Sequence, residues 1–255
     1  MTTRRVETSA PPADRTRWFL AGSIAITLAL FYVPYGRQIG FPLVLISTVA
    51  HEFGHALAAL LVGGSVSSVE ISVGAGGLAH TGGYDGRFAS AFVSAGGLVG
   101  PAFAATLCFV FARSPRLARF TLLALAFLLG LTLALWMRNL FGFAYVALLA
   151  TAFLAVGSRG RPATAQLVLV FVAVQLALSV YSRGDYLFTR VAVVDGAEHP
   201  SDVANIASNL FLPYWFWGGL CALLSAMVLL VGIWLFLRVG RRAPGTLPAR
   251  AEALR

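Results

Sequence analysis

Residues 42–62 read PLVLISTVAHEFGHALAALLV, an apolar run of membrane-spanning length that carries His51-Glu52-Phe53-Gly54-His55 at its centre. On a helix, residues four apart share a face, so His51 and His55 present two imidazoles together with Glu52 beside them. That is the H-E-x-x-H arrangement, in which two histidines ligate zinc and the carboxylate acts as general base. An ionisable residue at the centre of a membrane helix costs roughly 2.5–3.5 kcal/mol on insertion scales, and no basic residue stands near these three in sequence. A divalent metal is the simplest group that would stabilise them there. The bland alternative is a polar helix face lining a water-filled cavity.

The rest of the chain agrees with a membrane setting. It has 255 residues, is 58% hydrophobic and only 11% charged, and has a mean hydropathy of +0.81, whereas soluble domains carry about 25% charged residues. All 19 basic residues are arginine, which together with abundant Ala and Gly points to a bacterial protein and so to the inner membrane. The net charge of +9 sits mainly in tails and loops, where it meets lipid headgroups. No basic patch interleaved with aromatics supports nucleic-acid binding. Cys108 and Cys221 lie in apolar runs and far apart, which reads as small buried residues without redox or metal roles.

Taken in order, residues 1–17 read as a disordered basic tail, residues 18–238 as a single integral membrane domain, and residues 239–255 as a second disordered basic tail. Within the domain, apolar runs at 18–35, 42–62, 88–111, 120–137, 141–156, 163–181 and 218–237 predict six to seven transmembrane helices. Residues 36–40 read as a turn, Gly63-Gly64 as a helix stop, and Arg113, Pro115, Arg116 and Arg119 as a basic loop. Between Val66 and Val73 the period changes: Val69, Ile71 and Val73 alternate with Ser68, Glu70 and Ser72, and glycines 74, 76 and 77 supply a turn. The fold expected is therefore an all-α polytopic membrane protein with a short β-hairpin directly after the metal-binding helix. Gly96 and Gly100 form a small-xxx-small pair suited to close packing on the helix that carries Gly54, Ala58 and Ala59. Pro200-Ser201-Asp202 looks like the start of a short helix with Ser201 as its cap, followed by the aromatic belt 214–217. Arginines in the N-terminal tail favour a cytoplasmic N-terminus, although arginine counts on the two sides are close.

These residues resemble a known family. The H-E-F-G-H helix, the Gly63-Gly64 stop, the strand pair, Ser94-Ala95-Gly96-Gly97, Arg138-Asn139-Leu140-Phe141-Gly142 and Ser201-Asp202 are similar to the compact B-type branch of site-2-protease-type intramembrane zinc metallopeptidases. The resemblance implies a Zn2+-dependent peptidase that cleaves a membrane protein or peptide substrate within the lipid bilayer. It places His51, His55 and a distant aspartate on the metal and Glu52 as general base. The Asn-Pro and Leu-Asp-Gly helix that supplies the third ligand in larger members has no counterpart here, so Asp185, Asp195 and Asp202 are the candidates. Asp202 is preferred, because it opens a helix able to hold its carboxylate rigidly and matches the Ser-Asp element of the compact branch. Val69 and Ile71 on the hairpin, and Asn139, are expected to bind substrate backbone, the strand residues by strand addition. His80 and His199 read as solvated loop histidines. The competing function is a non-catalytic metal-binding membrane protein, either a transporter or a degenerate peptidase that binds partner helices.

Overall fold

The computed structural model describes residues 12–30, 32–182, 184–194 and 196–238. In chain order it runs α1 (Pro12–Ala29), α2 (Gly36–Leu61), β1 (Ser65–Ile71), β2 (Gly77–Gly82), α3 (Arg87–Phe111), α4 (Pro115–Leu135), α5 (Leu140–Arg159) and α6 (Pro162–Ser182). A short 3-10 helix, Gly184–Phe188, follows, then β3 (Val191–Val194), β4 (Ala197–Pro200), α7 (Asp202–Leu210) and α8 (Tyr214–Arg238). Six helices, α2 to α6 and α8, are long and apolar enough to cross a membrane. Their outward faces carry Phe120, Phe127, Leu148, Leu230 and Trp234, all at least half exposed, as lipid-facing side chains must be when no water drives them inward. The chain is a multi-pass integral membrane protein.

Burial separates the helices into an inner and an outer set. In the most apolar stretches of α3 and α6, 56% of residues are buried, against 22% for α5 and 28% for α4 and α8, so α3 and α6 form the centre. On one side α3 packs on α2, α7 and α8, while α4 and α5 form a pair that meets the centre through α6. Phe109, Leu122, Val146, Leu169, Val170 and Phe236 are fully enclosed within this core.

The α2–α3 contact is made by backbone, as the small residues predict. A methyl group at Gly54 would overlap the Gly96 carbonyl oxygen, and one at Gly100 would lie 3.0 Å from the Gly54 Cα. The helix ends where the two glycines stop it. Gly63 takes the left-handed conformation at φ 81°, Gly64 N–H donates to Ala59 O at 2.9 Å and Gly63 N–H to Leu60 O at 3.2 Å, which is a Schellman termination. The expected hairpin follows, with Val69 opposite Ala79 and Ile71 opposite Gly77 in antiparallel register.

Several boundaries differ from the sequence reading. The chain between α1 and α2 turns at residues 30 and 32–35 rather than 36–40, because Pro34 disfavours helix at the residue before it. Residues 36–40 are instead the first turns of α2, entered through Tyr35 at φ 61°. The apolar part of α1, Arg17–Ala29, is consequently shorter than the six spanning helices. Pro12 opens α1, so residues 12–17 are helical where a disordered tail was expected; proline suits the first helical position, whose N–H has no partner anyway. For the same reason α4 starts at Pro115, so Arg116 and Arg119 of the expected basic loop lie in its first turns and only Arg113 stays in the connection. There Arg119 donates to the Gly157 and Ser158 carbonyls at 3.0 and 2.9 Å, satisfying the end of α5. The second hairpin, β3–β4, was not foreseen at all. Residues 1–11 and 239–255, expected as tails, lie outside the described residues.

Candidate metal centre and catalytic cavity

Two helices and one short helix converge on the H-E-x-x-H face. His51 and His55 lie one turn apart on α2, and their Nε2 atoms stand 3.2 Å from each other. Asp202, the first residue of α7, comes in from the other side, with Oδ2 3.1 Å from His51 Nε2 and Oδ1 3.3 Å from His55 Nε2. Among the described residues this is the group of three that could hold a metal ion. A tetrahedral ion with bonds of about 2.0–2.1 Å has ligand-to-ligand edges of about 3.3–3.4 Å; the two imidazole nitrogens stand at a comparable separation, and each has its own Asp202 oxygen at 3.1 or 3.3 Å. The donor set is chemically consistent as well. Val93 O, 2.9 Å from His55 Nδ1, can only accept, so Nδ1 carries a proton and Nε2 is the ring atom left to face the cluster.

Small residues make room for this geometry. A methyl group at Gly97 would overlap the His55 imidazole, so the second glycine of the Gly96-Gly97 pair seats the ring while the first seats the α2 backbone. The sequence reading named Gly97 only within the Ser94-Ala95-Gly96-Gly97 element; its signal was that it stands one position off the Gly96–Gly100 ridge and so faces elsewhere.

Glu52 is buried at 3% exposure and lines a cavity of about 370 Å³ together with Ser47, His51, Gly77, Tyr186 and Val194. Gly77, on β2, lies so close to it that an added methyl would be 2.5 Å from the carboxylate Oε1. The β1–β2 turn is tied over this helix by Thr48, whose hydroxyl donates to Ala75 O at 2.8 Å, one turn before Glu52. Glu52, His51 and the rim of the sheet therefore share one enclosure.

Asp202 owes its position to its cap. Ser201 Oγ accepts from Ala204 N–H at 3.2 Å at the N-cap of α7 and donates to Thr189 O at 2.6 Å. Burial alone would raise the Asp202 carboxyl, but the adjacent His55 and His51 imidazoles overcome it and hold the group well below the usual carboxylate range. Tyr186, on the 3-10 helix, donates its hydroxyl to Asp202 Oδ2 at 3.3 Å and sets its ring edge-on to His51. Burial, then the nearby Asp202 and Glu52 carboxylates, push its phenol far above the ordinary range, so it is a neutral donor. Nothing local in the sequence marked Tyr186, since its partner is sixteen residues away.

The remaining sequence candidates fall elsewhere. Asp195 lies outside the described residues, as does the side chain of Asp185. Val69 and Ile71 are buried at 4% and 0% exposure, and the edge of β1 away from β2 is occupied. Val69 N–H donates to Trp136 O at 2.8 Å and its carbonyl accepts from Arg138 N–H at 3.4 Å. Asn139 clamps Ile71, donating from Nδ2 to its carbonyl at 2.7 Å and accepting its N–H at 3.2 Å. His80 is exposed on β2 and His199 lies on β4, and neither joins the cluster.

The model of the Peptidase M50B-like family matches residues 22–232, which includes the helices carrying His51, His55 and Asp202. No curated protein and no solved structure matches the chain.

Proposed function

The chain belongs to the Peptidase M50B-like family, and from that premise we propose that it is a zinc-dependent intramembrane endopeptidase that hydrolyses a peptide bond in or near a transmembrane segment of a membrane protein substrate. The observation that supports this reading is the cluster of His51, His55 and Asp202, with separations of 3.1 to 3.3 Å between imidazole nitrogens and carboxylate oxygens, joined through His51 to the cavity that Glu52 lines. Two imidazoles and one carboxylate suit zinc and leave a fourth position open. Bound there, zinc lowers the pKa of water and polarises a carbonyl.

The protein's own groups supply the rest of the chemistry. Glu52 takes the proton from the water that attacks the scissile carbonyl carbon and delivers it to the departing amine nitrogen, so one carboxylate serves as base and then as acid. Its enclosure keeps that carboxylate out of bulk water. Because β1 is bonded on both sides over Val69–Ile71, an extended substrate adds at the outer edge of β2, which among the described residues pairs only with β1 and brings Gly77 against Glu52. In this reading Val69, Ile71 and Asn139 serve the substrate through the sheet, by holding β1 in place. A substrate helix must unwind locally to offer such a strand. The bacterial inner membrane is the proposed location, on composition.

The test is cleavage of a labelled single-span peptide by purified protein in detergent, with zinc measured in the same samples. The parent should hold about one zinc and cleave; Glu52→Gln should keep the metal and lose turnover, since a general base contributes about 10²–10⁴-fold. Cleavage undiminished in Glu52→Gln would refute the assignment. Metal bound in both but cleavage in neither would favour a non-catalytic binder.

A further inference from the structure

The stretch between α6 and α7 brings a second polar side chain onto the ligand cluster, and we propose that Tyr186 is a positioning residue: its hydroxyl orients Asp202 and thereby sets the affinity of the site for its metal. This rests on the zinc reading above and extends it to a residue outside the H-E-x-x-H face.

The geometry is specific. Tyr186 donates to Oδ2 of Asp202 at 3.3 Å, and that oxygen is the one 3.1 Å from His51 Nε2. Its ring meets the His51 ring edge-on, with centroids 5.9 Å apart and planes at 81°. One side chain thus touches both a carboxylate and an imidazole of the cluster. A carboxylate at the end of a short helix can rotate about its last bond, and a donor on one oxygen removes that freedom before the metal arrives.

The fold holds Tyr186 in place from three directions. Gly218 of α8 allows the 3-10 helix to lie directly on it, since a methyl group there would overlap the Leu187 carbonyl oxygen. Leu187 itself is buried in a cluster with Val203, Ile206 and Cys221, tying the 3-10 helix to α7 and α8. At its end, Thr189 Oγ1 donates to Tyr186 O at 3.3 Å. Thr189 O and Arg190 O in turn accept from Ser201 Oγ at 2.6 Å and from Ser201 N–H at 2.9 Å. These bonds close the base of the β3–β4 hairpin, so the turn that carries Tyr186 and the residue before Asp202 are fastened side by side. The hairpin's length is then immaterial to the distance between Tyr186 and Asp202.

The experiment measures zinc affinity by chelator competition on the purified full chain, for the parent, Tyr186→Phe, and a variant with 4-aminophenylalanine at 186. Tyr186→Phe keeps the ring and its packing and removes only the donor. It should still bind about one zinc, with affinity reduced about 10–100-fold, the range for partners that orient a metal ligand. The arylamine restores a donor at the same place and should recover most of that loss. Cobalt(II) absorption gives a second readout: a change in ligand field in Tyr186→Phe, reversed by the arylamine, supports the proposal even where affinities are hard to separate. Zinc affinity within twofold of the parent together with an unchanged cobalt spectrum would overturn it. A parent that binds no metal would instead bring down the zinc reading itself, so the two failures are distinguishable.

Discussion

The two sides of the metal centre are held by different physics. On one side His51, Glu52 and His55 ride on α2, which is locked to α3 through glycine contacts that leave no side chain to rearrange. On the other, Asp202 stands at the start of a nine-residue helix and is placed by hydrogen bonds from Ser201 and Tyr186 to groups across a hairpin. Close-packed backbone resists small shifts, because any displacement runs into atoms. A hydrogen-bonded loop resists them less, because each bond contributes only about 1 kcal/mol net. The site therefore joins a rigid wall to an adjustable arm, and a metal held by His51, His55 and Asp202 would be the piece common to both.

Removing a ligand from each side breaks this comparison most severely. His55→Ala takes a ligand from the wall, where nothing can move in to replace it, and zinc binding should fall well beyond the ~10–100-fold loss associated with an outer partner. Asp202→Ala takes the ligand from the arm and leaves two imidazoles already at 3.2 Å, so measurable zinc binding should survive, weakened. Equilibrium titration of both variants decides it. Equal, complete loss in the two would show that the α2 wall is not preorganised without Asp202.

A pair of glycines probes the same contrast one level down. At Gly97 a methyl group would overlap the His55 ring, and α3 could retreat only by opening the close contacts of Gly96 and Gly100 on the α2 backbone. Gly97→Ala should cost about 1–3 kcal/mol as overpacking and displace the imidazole, lowering zinc affinity. At Gly196, on the hairpin, nothing lies within 4 Å, and only its φ of 81° opposes a side chain. Gly196→Ala should cost about 1–2 kcal/mol through that conformation alone and leave zinc binding intact. Thermal melting and zinc content, measured on both variants, separate overlap from strain.

The wall was legible in the sequence and the arm was only partly so, for the same physical reason. His51, Glu52, His55, Gly54, Gly96 and Gly100 work through helical spacing, which a single stretch displays in full. The strand alternation of Val69 and Ile71 was equally visible, and the register followed it. The face-to-edge relations were not: that Asn139 and residues 136–138 would take the second edge of β1 depends on where α4 ends, and no local pattern records it. Asp202 could be singled out because a cap motif marks a rigid start. Tyr186 and the β3–β4 hairpin carry no such mark, since Val191–Val194 is too short to show a period and Tyr186 acts through a partner brought near only by folding.

Asn139 tests whether the sheet belongs to the wall or to the arm. Asn139→Leu leaves both the N–H and the C=O of the buried Ile71 without their partners, at roughly 1–3 kcal/mol for each group left unsatisfied. If the sheet is part of the wall, that loss should appear as reduced hydrogen-exchange protection from Val69 to Ile71 and as weaker cleavage at unchanged zinc content. A fall in zinc binding would mean that the strand pair also steers the ligands.

The smallest effect is expected at Ser201, and it is the most direct measure of how the arm is held. The hydroxyl both caps α7 and fastens Thr189, so Ser201→Ala removes two hydrogen bonds at the base of the hairpin while leaving Val203 and Ile206 packed at 0% and 2% exposure. Loss of a serine cap costs about 1 kcal/mol. If hydrogen bonding positions Asp202, melting should fall modestly while zinc affinity falls by about tenfold, the same free energy appearing at the ligand that the cap orients. Ser201→Thr, which retains the oxygen, should recover both. Unchanged zinc affinity in Ser201→Ala would place control of the arm in the apolar contacts of Val203 and Ile206 and make it a second wall, against the contrast drawn between the two sides.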